Sequence, residues 1–376
     1  MRIAIINLTG GGISGGHRKY LQNMLPRLAA CTEIENILCA SPAGMSAGDW
    51  LPAIPKVSYS LCEPFRPFRH VPDEGLRAGL DAFKPDLLFI PIERYVNYND
   101  LPVVVMLQNM APLAGVKTGS GLKEIAVAIA RRHETRIALE RAAAAIVPTG
   151  YVKDFLAGKA GVPAEKLTVI HYGRNSVSGS ARPPAAFSGG EEKFIFTAGS
   201  LEAYRGLEDL VRALPGLKIA HPDLKLVIAG GARTGAEKYA VSLRELAAGL
   251  GVAGDIAWLG NLPEAELSWC YSNCAAFALT SRMESFCFVA LEALTHGCNI
   301  VSTRSACLPE IFKEAALYYE AGDESGLSLA VSAVLARTGE ERLAAASAAA
   351  ARAGAFSWDA AAGATLAVLG KAVRAR

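Results

Sequence analysis

The 376-residue sequence is 51% hydrophobic and 20% charged, with a net charge of only +2. That balance excludes intrinsic disorder, which needs few apolar residues and a large charge, and a dedicated nucleic-acid binder, which needs a basic excess. The length suits two domains, each large enough to bury its own core. The opening run Met1–Asn7 is too short for a signal peptide, and no uncharged apolar stretch reaches the roughly 18–20 residues that span a bilayer. The eight cysteines contain no C-x-x-C pair. Cys270 and Cys274 stand four apart without a matching Cys/His pair, so buried free thiols in a reducing, cytoplasmic compartment are expected and no metal is implied.

Along the chain, short apolar runs alternate with helical patterns, which predicts parallel sheets covered by helices on both faces. The first half offers strands at Arg2–Leu8, Asn36–Ala40, Leu87–Ile90, Val103–Leu107, Ala145–Val147 and Thr168–Ile170. Helices are expected between them, notably His17–Ala30 and Leu122–Ala144. The stretch Arg174–Glu192, rich in Ser, Gly and Pro, reads as a linker. Beyond it strands are expected at Lys193–Thr197, Lys225–Ala229, Ile256–Trp258, Ala275–Ala278, Asn299–Ser302 and Ala316–Tyr319. The intervening helices are Gly206–Leu214, Ala236–Leu250, Glu264–Cys270 and Phe288–His296. The reading is an α/β chain of two Rossmann-like domains, 1–175 and 193–355, joined by a linker at 176–192. A cleft between two such halves faces the carboxyl ends of both sheets, where doubly wound folds bind ligands.

After the first strand comes Gly10-Gly11-Gly12-Ile13-Ser14-Gly15-Gly16, then a helix. Glycines let the backbone turn tightly and approach a ligand, and the free N–H groups of the helix start then face an anion. Gly10, Gly12 and Gly15 satisfy G-x-G-x-x-G, so an NAD-dependent dehydrogenase is one alternative. That fingerprint wants a carboxylate at the end of the second strand to hold a ribose. Here the strand ends Leu38-Cys39-Ala40-Ser41, and Glu33 and Glu35 precede it.

The second half contains Ser281-Arg282-Met283-Glu284-Ser285-Phe286-Cys287-Phe288, continuing Val289-Ala290-Leu291-Glu292-Ala293-Leu294. Glu284 falls in the loop at a strand's carboxyl end, and Glu292 lies a turn into the next helix. Two carboxylates flanking a helix N-terminus can hold hydroxyl groups on one side and a diphosphate on the other. Glu292 sits in the apolar run VALEAL, where an unpaired carboxylate would be costly.

The segment SRMESFCFVALEALTHGCNIV resembles the E-x7-E region of the retaining, GT-B-fold glycosyltransferases of the large bacterial group 1 type. LPEIFKEAALYYEAGD, FTAGSLEAYRGLEDLVRAL and LVIAGG extend the resemblance, as do IAWLGNLPEAELSWCYSNCAAFALTS and the terminal FSW. It implies transfer of a hexose-type sugar from a nucleoside-diphosphate sugar to a glycan or lipid-linked acceptor, in cell-surface polysaccharide or glycolipid synthesis. By the resemblance, Glu292 would bind the donor's ribose, and Glu284 with Ser285, Phe286 and Cys287 the transferred sugar. Arg205, in place of the usual Lys, would neutralise the leaving diphosphate, which Gly15 and Gly16 would approach from the first domain. Residues 356–376 would return to that domain.

The sequence departs from the pattern at three places. Cys287 stands where Gly is usual, Ser200 where an Arg is frequent, and Gln108-Asn109 where a sugar-contacting His is common. Gln108 or Asn109 would then take the sugar contact. A nucleotide-sugar epimerase on the same fold is the nearer alternative, and a binding protein without chemistry the other. No D-x-D pair is present, so no metal-diphosphate bridge is implied and no cofactor is called for. The helix Leu122–Ala144 sets Lys123, Arg131, Arg132, His133, Arg136 and Arg141 beside apolar residues. Such a face can rest on anionic lipid at the inner side of a membrane or simply be solvated.

Overall fold

The computed structural model describes every residue except 10–14, 116–121, 178–179, 188–192, 233–234 and 376. Most of the glycine loop, Gly10–Ser14, and parts of the expected linker therefore lie outside the described residues. The chain divides into two units. The first draws its described residues from Met1–Val116, Gly121–Gly173 and Ser357–Arg376, the second from Arg174–Phe356.

In the first unit β1 (Arg2–Ile6) leads to α1 (Gly15–Ala30), β2 (Asn36–Pro42), β3 (Val57–Cys62) and α2 (Glu74–Phe83). Then come β4 (Leu87–Ile90), β5 (Val103–Met106), α3 (Ala111–Ala114), α4 (Leu122–Arg141), β6 (Ala144–Val147), α5 (Gly150–Lys159) and β7 (Leu167–Val169). The sheet order is β3-β2-β1-β4-β5-β6-β7, all parallel, so the order reverses between β1 and β4. Every residue of β4 and β5 is buried, as helices on both faces require. The edge strand β3 escaped the sequence reading because it alternates Ser with apolar residues and stays half exposed. The helix expected to reach Ala144 stops at Arg141, and Ala144 already belongs to β6.

The second unit repeats the plan with β8 (Phe194–Ala198), α6 (Glu208–Ala220), β9 (Lys225–Ala229), α7 (Glu237–Gly249) and β10 (Ile256–Gly260). It continues with α8 (Glu264–Asn273), β11 (Ala276–Leu279), α9 (Phe288–Thr295) and β12 (Ile300–Thr303). It ends with α10 (Leu308–Phe312), β13 (Ala316–Tyr319), α11 (Glu324–Leu335) and α12 (Gly339–Gly354). The parallel order is β10-β9-β8-β11-β12-β13, with its reversal between β8 and β11. Helix α6 runs on past Pro215 to Ala220, six residues beyond the expected stop at Leu214. Its apolar face, Leu210, Val211, Leu214 and Leu217, packs into the core, and that burial outweighs the one N–H that Pro215 removes.

The last helix, α13 (Trp358–Arg374), belongs to the first unit, where it packs against α1, β4, β5 and β6. Ser357 caps it by accepting from Ala360 N at 3.3 Å. Trp358 stacks on Tyr172 at 6.1 Å and meets Tyr20 edge-on at 6.2 Å, while Arg27 pairs with Asp359 at 2.7 Å. Gly173 admits this packing, because a Cβ there would lie 2.2 Å from Trp358 N. Among the described residues no helix is long and apolar enough to cross a membrane.

Candidate functional site

In the second unit the loop after β8 and the loop after β11 flank the point where strand order reverses, the place where doubly wound sheets take their ligands. Arg205 ends a short turn, Ala203–Arg205, on the first loop, and Glu284 lies on the second. Their side chains meet, Arg205 Nη1 to Glu284 Oε1, at 2.7 Å, both largely shielded from solvent. Burial works against the guanidinium charge, but the Glu284 carboxylate outweighs it and holds Arg205 above its ordinary range. Arg205 is therefore a fixed cation.

Two further contacts set that loop. Thr280 Oγ1 donates to Arg205 O at 2.6 Å, and Arg282 N donates to Tyr204 O at 2.8 Å. Gly206 follows at φ 61°, where a Cβ would collide with Arg282 Nη1 at 2.1 Å, so only glycine lets the chain turn here. Arg282 in turn bonds Asp209 at 2.9 Å and Glu208 at 3.1 Å. Asp209, 2% exposed, also accepts from Tyr319 OH at 3.1 Å and Gly322 N at 3.0 Å. A buried carboxylate with three donors is a rigid anchor.

Ser285, Phe286 and Cys287 are buried and lead directly into α9, with Cys287 at the N-cap. Cys287 has φ 74°, the left-handed region that disfavours a side chain. Burial and then the nearby Glu284 push its thiol up, which keeps it protonated. Because glycine adopts that backbone freely, Cys287→Gly should be more stable than Cys287→Ala by about 1 kcal/mol in urea unfolding. Equal stabilities would show that the turn is unstrained.

Glu292 lies one turn into α9, and its Oε2 accepts from Tyr271 OH at 2.9 Å. That bond answers how a carboxylate is tolerated in VALEAL. Burial and the Glu292 carboxylate raise the Tyr271 hydroxyl well above its ordinary value, so it remains the donor. Tyr271 also stacks on His296 at 5.0 Å, and His296 bonds Ser268 at 3.0 Å. The second unit thus gathers Arg205, Glu284, Ser285, Phe286, Cys287 and Glu292 from two loops and the start of one helix. Thr280, Arg282 and Tyr271 were not assigned from sequence, although each lies within a segment that carried the resemblance.

In the first unit Gly15 and Gly16 open α1 after β1, while Gln108 and Asn109 follow β5. Gln108 Nε2 donates to Pro91 O at 2.8 Å and lies 3.3 Å from His17 Nδ1. His17 is buried and its pKa falls to about 4, so it is neutral near pH 7. Arg18 is the exposed neighbour, stacked over Trp50 at 5.0 Å. Asn109 N donates to the Glu93 carboxylate, and Asn109 Oδ1 accepts from Ala111 N at 2.9 Å. Burial raises the Glu93 carboxyl above its ordinary value.

Residues 14–176 match the family described as Glycosyltransferase Family 4, and residues 183–352 the one described as Glycosyl transferases group 1. A D-inositol 3-phosphate glycosyltransferase of Corynebacterium jeikeium is 35% identical over 119 residues, 31% of this chain and 28% of that protein. A GDP-mannose-dependent alpha-(1-6)-phosphatidylinositol monomannoside mannosyltransferase of Mycolicibacterium smegmatis is 30% identical over 137 residues, 35% of each chain. The chain therefore spans about a third of the length of these curated relatives. Sucrose-phosphate synthase of Thermosynechococcus elongatus superposes with a TM-score of 0.74 at 17% identity, over 100% of both chains. Anabaena Alr3699/HepE in complex with UDP and glucose gives 0.73 at 19% identity, over 98% of this chain and 99% of that one. At these identities the likeness is one of fold, two parallel-sheet α/β domains of the GT-B class.

Proposed function

Since the chain carries a Family 4 and a group 1 glycosyltransferase domain, we propose that it transfers a hexose-type sugar from a nucleoside-diphosphate sugar, retaining the anomeric configuration. The observation that carries this reading is the Arg205–Glu284 pair at the sheet's reversal point, next to the N-terminus of α9. Both a guanidinium fork and a helix start favour a diphosphate. On binding, the diphosphate takes the place of Glu284 at Arg205, and the released carboxylate accepts hydroxyls of the sugar. The buried backbone of Ser285–Cys287 frames that sugar. Glu292, oriented by Tyr271, accepts the two ribose hydroxyls. Charge that builds on the departing diphosphate is met by Arg205 and the helix start, fixed before the bond breaks. No metal or other cofactor is called for by this scheme. In the first domain Gly15 and Gly16 would offer N–H groups to an anion, and Gln108 and Asn109 would contact a sugar. Two relatives whose names carry inositol or phosphatidylinositol support a glycan or lipid-linked acceptor. A lipid-linked one would set the protein at the inner face of a membrane, met by the basic helix α4.

Thermal stabilisation across a panel of nucleoside diphosphates and nicotinamides tests the core of this. A nucleoside diphosphate should raise the melting temperature, as UDP bound to the HepE structure suggests. Stabilisation by NAD and by no nucleoside diphosphate would overturn the reading. So would interconversion of free nucleotide-sugars without any acceptor, the mark of an epimerase. Tyr271→Phe should weaken nucleotide binding about tenfold, because it removes one hydrogen bond to a charged group, and should cost roughly 1–3 kcal/mol of stability by taking that donor from the Glu292 carboxylate. An unchanged Kd would detach Glu292 from the ribose.

A further inference from the structure

Helix α4 shows solvent an unusual sequence of side chains. Ile125, Val127 and Ile129 are 47%, 43% and 64% exposed. Arg131, Arg132, His133 and Arg136 follow, all exposed. Ile125, Ile129, Arg132 and Arg136 fall at i, i+4, i+7 and i+11, one stripe of the helix, apolar toward its start and cationic toward its end. The one acid between positions 125 and 136, Glu134, is turned inward. Its carboxylate accepts from Phe68 N at 2.7 Å and pairs with His70 Nε2 at 2.9 Å. Those bonds latch the loop Glu63–Val71 to α4. Phe68 holds φ 66° and stands 65% exposed, with its ring 5.7 Å from that of His133. Val71 is exposed beside it, and Arg66 and Arg69 reach solvent around the sole acid of the loop, Glu63. A bulky residue held in the left-handed region and pointed at water is locally unfavourable on its own.

We propose that this surface docks on an anionic lipid bilayer, with Phe68 and Ile129 entering the interfacial layer and Arg132 and Arg136 lying against the headgroup phosphates. The arrangement is the one such a boundary selects, exposed apolar side chains ringed by cations, with the one carboxylate between positions 125 and 136 turned inward. A second copy of the chain fits worse, because the stripe paired with itself sets arginines against arginines in the parallel sense and against the apolar isoleucines in the antiparallel one. The proposal deepens the lipid-facing part of the function proposed above and rests on it only for where the acceptor lies. Vesicle binding needs no transfer chemistry, so the two can fail separately.

The test is co-sedimentation of the full chain with phosphatidylglycerol-containing vesicles and with pure phosphatidylcholine vesicles, at low and high salt. Binding is expected to the anionic vesicles alone and to fall as salt rises. Arg132→Gln/Arg136→Gln should lower the partition coefficient by roughly 25-fold, about fivefold for each charge removed. Phe68→Gly/Ile129→Ser should lower it at least tenfold, and glycine suits the positive φ that Phe68 now holds. Stabilisation by nucleoside diphosphates should be unchanged in both variants. Absence of binding to anionic vesicles, or variants that bind like the parent, would overturn the proposal. So would a dimer in sedimentation that Phe68→Gly/Ile129→Ser dissociates.

Discussion

Arg205→Ala is expected to lower turnover about 10²–10³-fold, the loss typical of removing one preorganised donor from a site where negative charge develops. Arg205 stands at the reversal point of the second domain, and its loop is pinned by Thr280 and Arg282. Arg205→Lys should recover part of the loss, since an ammonium restores charge but not the two-pronged contact. Glu292→Ala separates the roles, weakening nucleotide binding more than it slows the bound complex. Removing Arg205 also strands Glu284, so the melting temperature must be followed beside the kinetics. Unchanged turnover in a folded Arg205→Ala protein would place the chemistry elsewhere.

Trp358→Ala should destabilise the first domain by about 3–5 kcal/mol, the usual cost of deleting a large buried aromatic. The side chain is 3% exposed and closes a three-ring cluster with Tyr20 and Tyr172 over Gly173. The same helix then buries Ala361, Ala362, Val368 and Leu369. Losing the anchor frees one end of that apolar stripe. Because the domains need not unfold together, a probe within the first domain should report the loss. A change below about 1 kcal/mol would mean that the rest of α13 holds without its aromatic start.

What the sequence made legible was whatever is local. Continuous apolar runs mark β4 and β5 because strands buried on both faces need no polar alternation. Glu284 could be placed because a strand precedes it and a helix follows it within a few residues. Distant partners had no local signature. Tyr271 and Glu292 lie 21 positions apart and meet only because α8 and α9 flank β11. Asp209 looks like an ordinary first-turn acid, yet it gathers Arg282, Tyr319 and Gly322 from up to 113 positions away. His17, beside glycines and Arg18, gives no sign that it is buried against Gln108. Cys287 was visible as an unusual residue, but its positive φ belongs to the backbone and could only be seen in three dimensions.

The return of α13 makes the first domain discontinuous, and this imposes an order on biosynthesis. The sheet surface that α13 covers leaves the ribosome with β4, β5 and β6, while the helix itself follows only after Arg174–Phe356 has been made. At about 5–20 residues per second that interval lasts roughly 10–40 s. The segment made meanwhile has its ends already joined, Arg174 N donating to Phe356 O at 3.2 Å, so it can close on itself as an inserted body. The nascent chain thus completes its later domain before its earlier one, and for those seconds an apolar sheet face is open to chaperones or to aggregation.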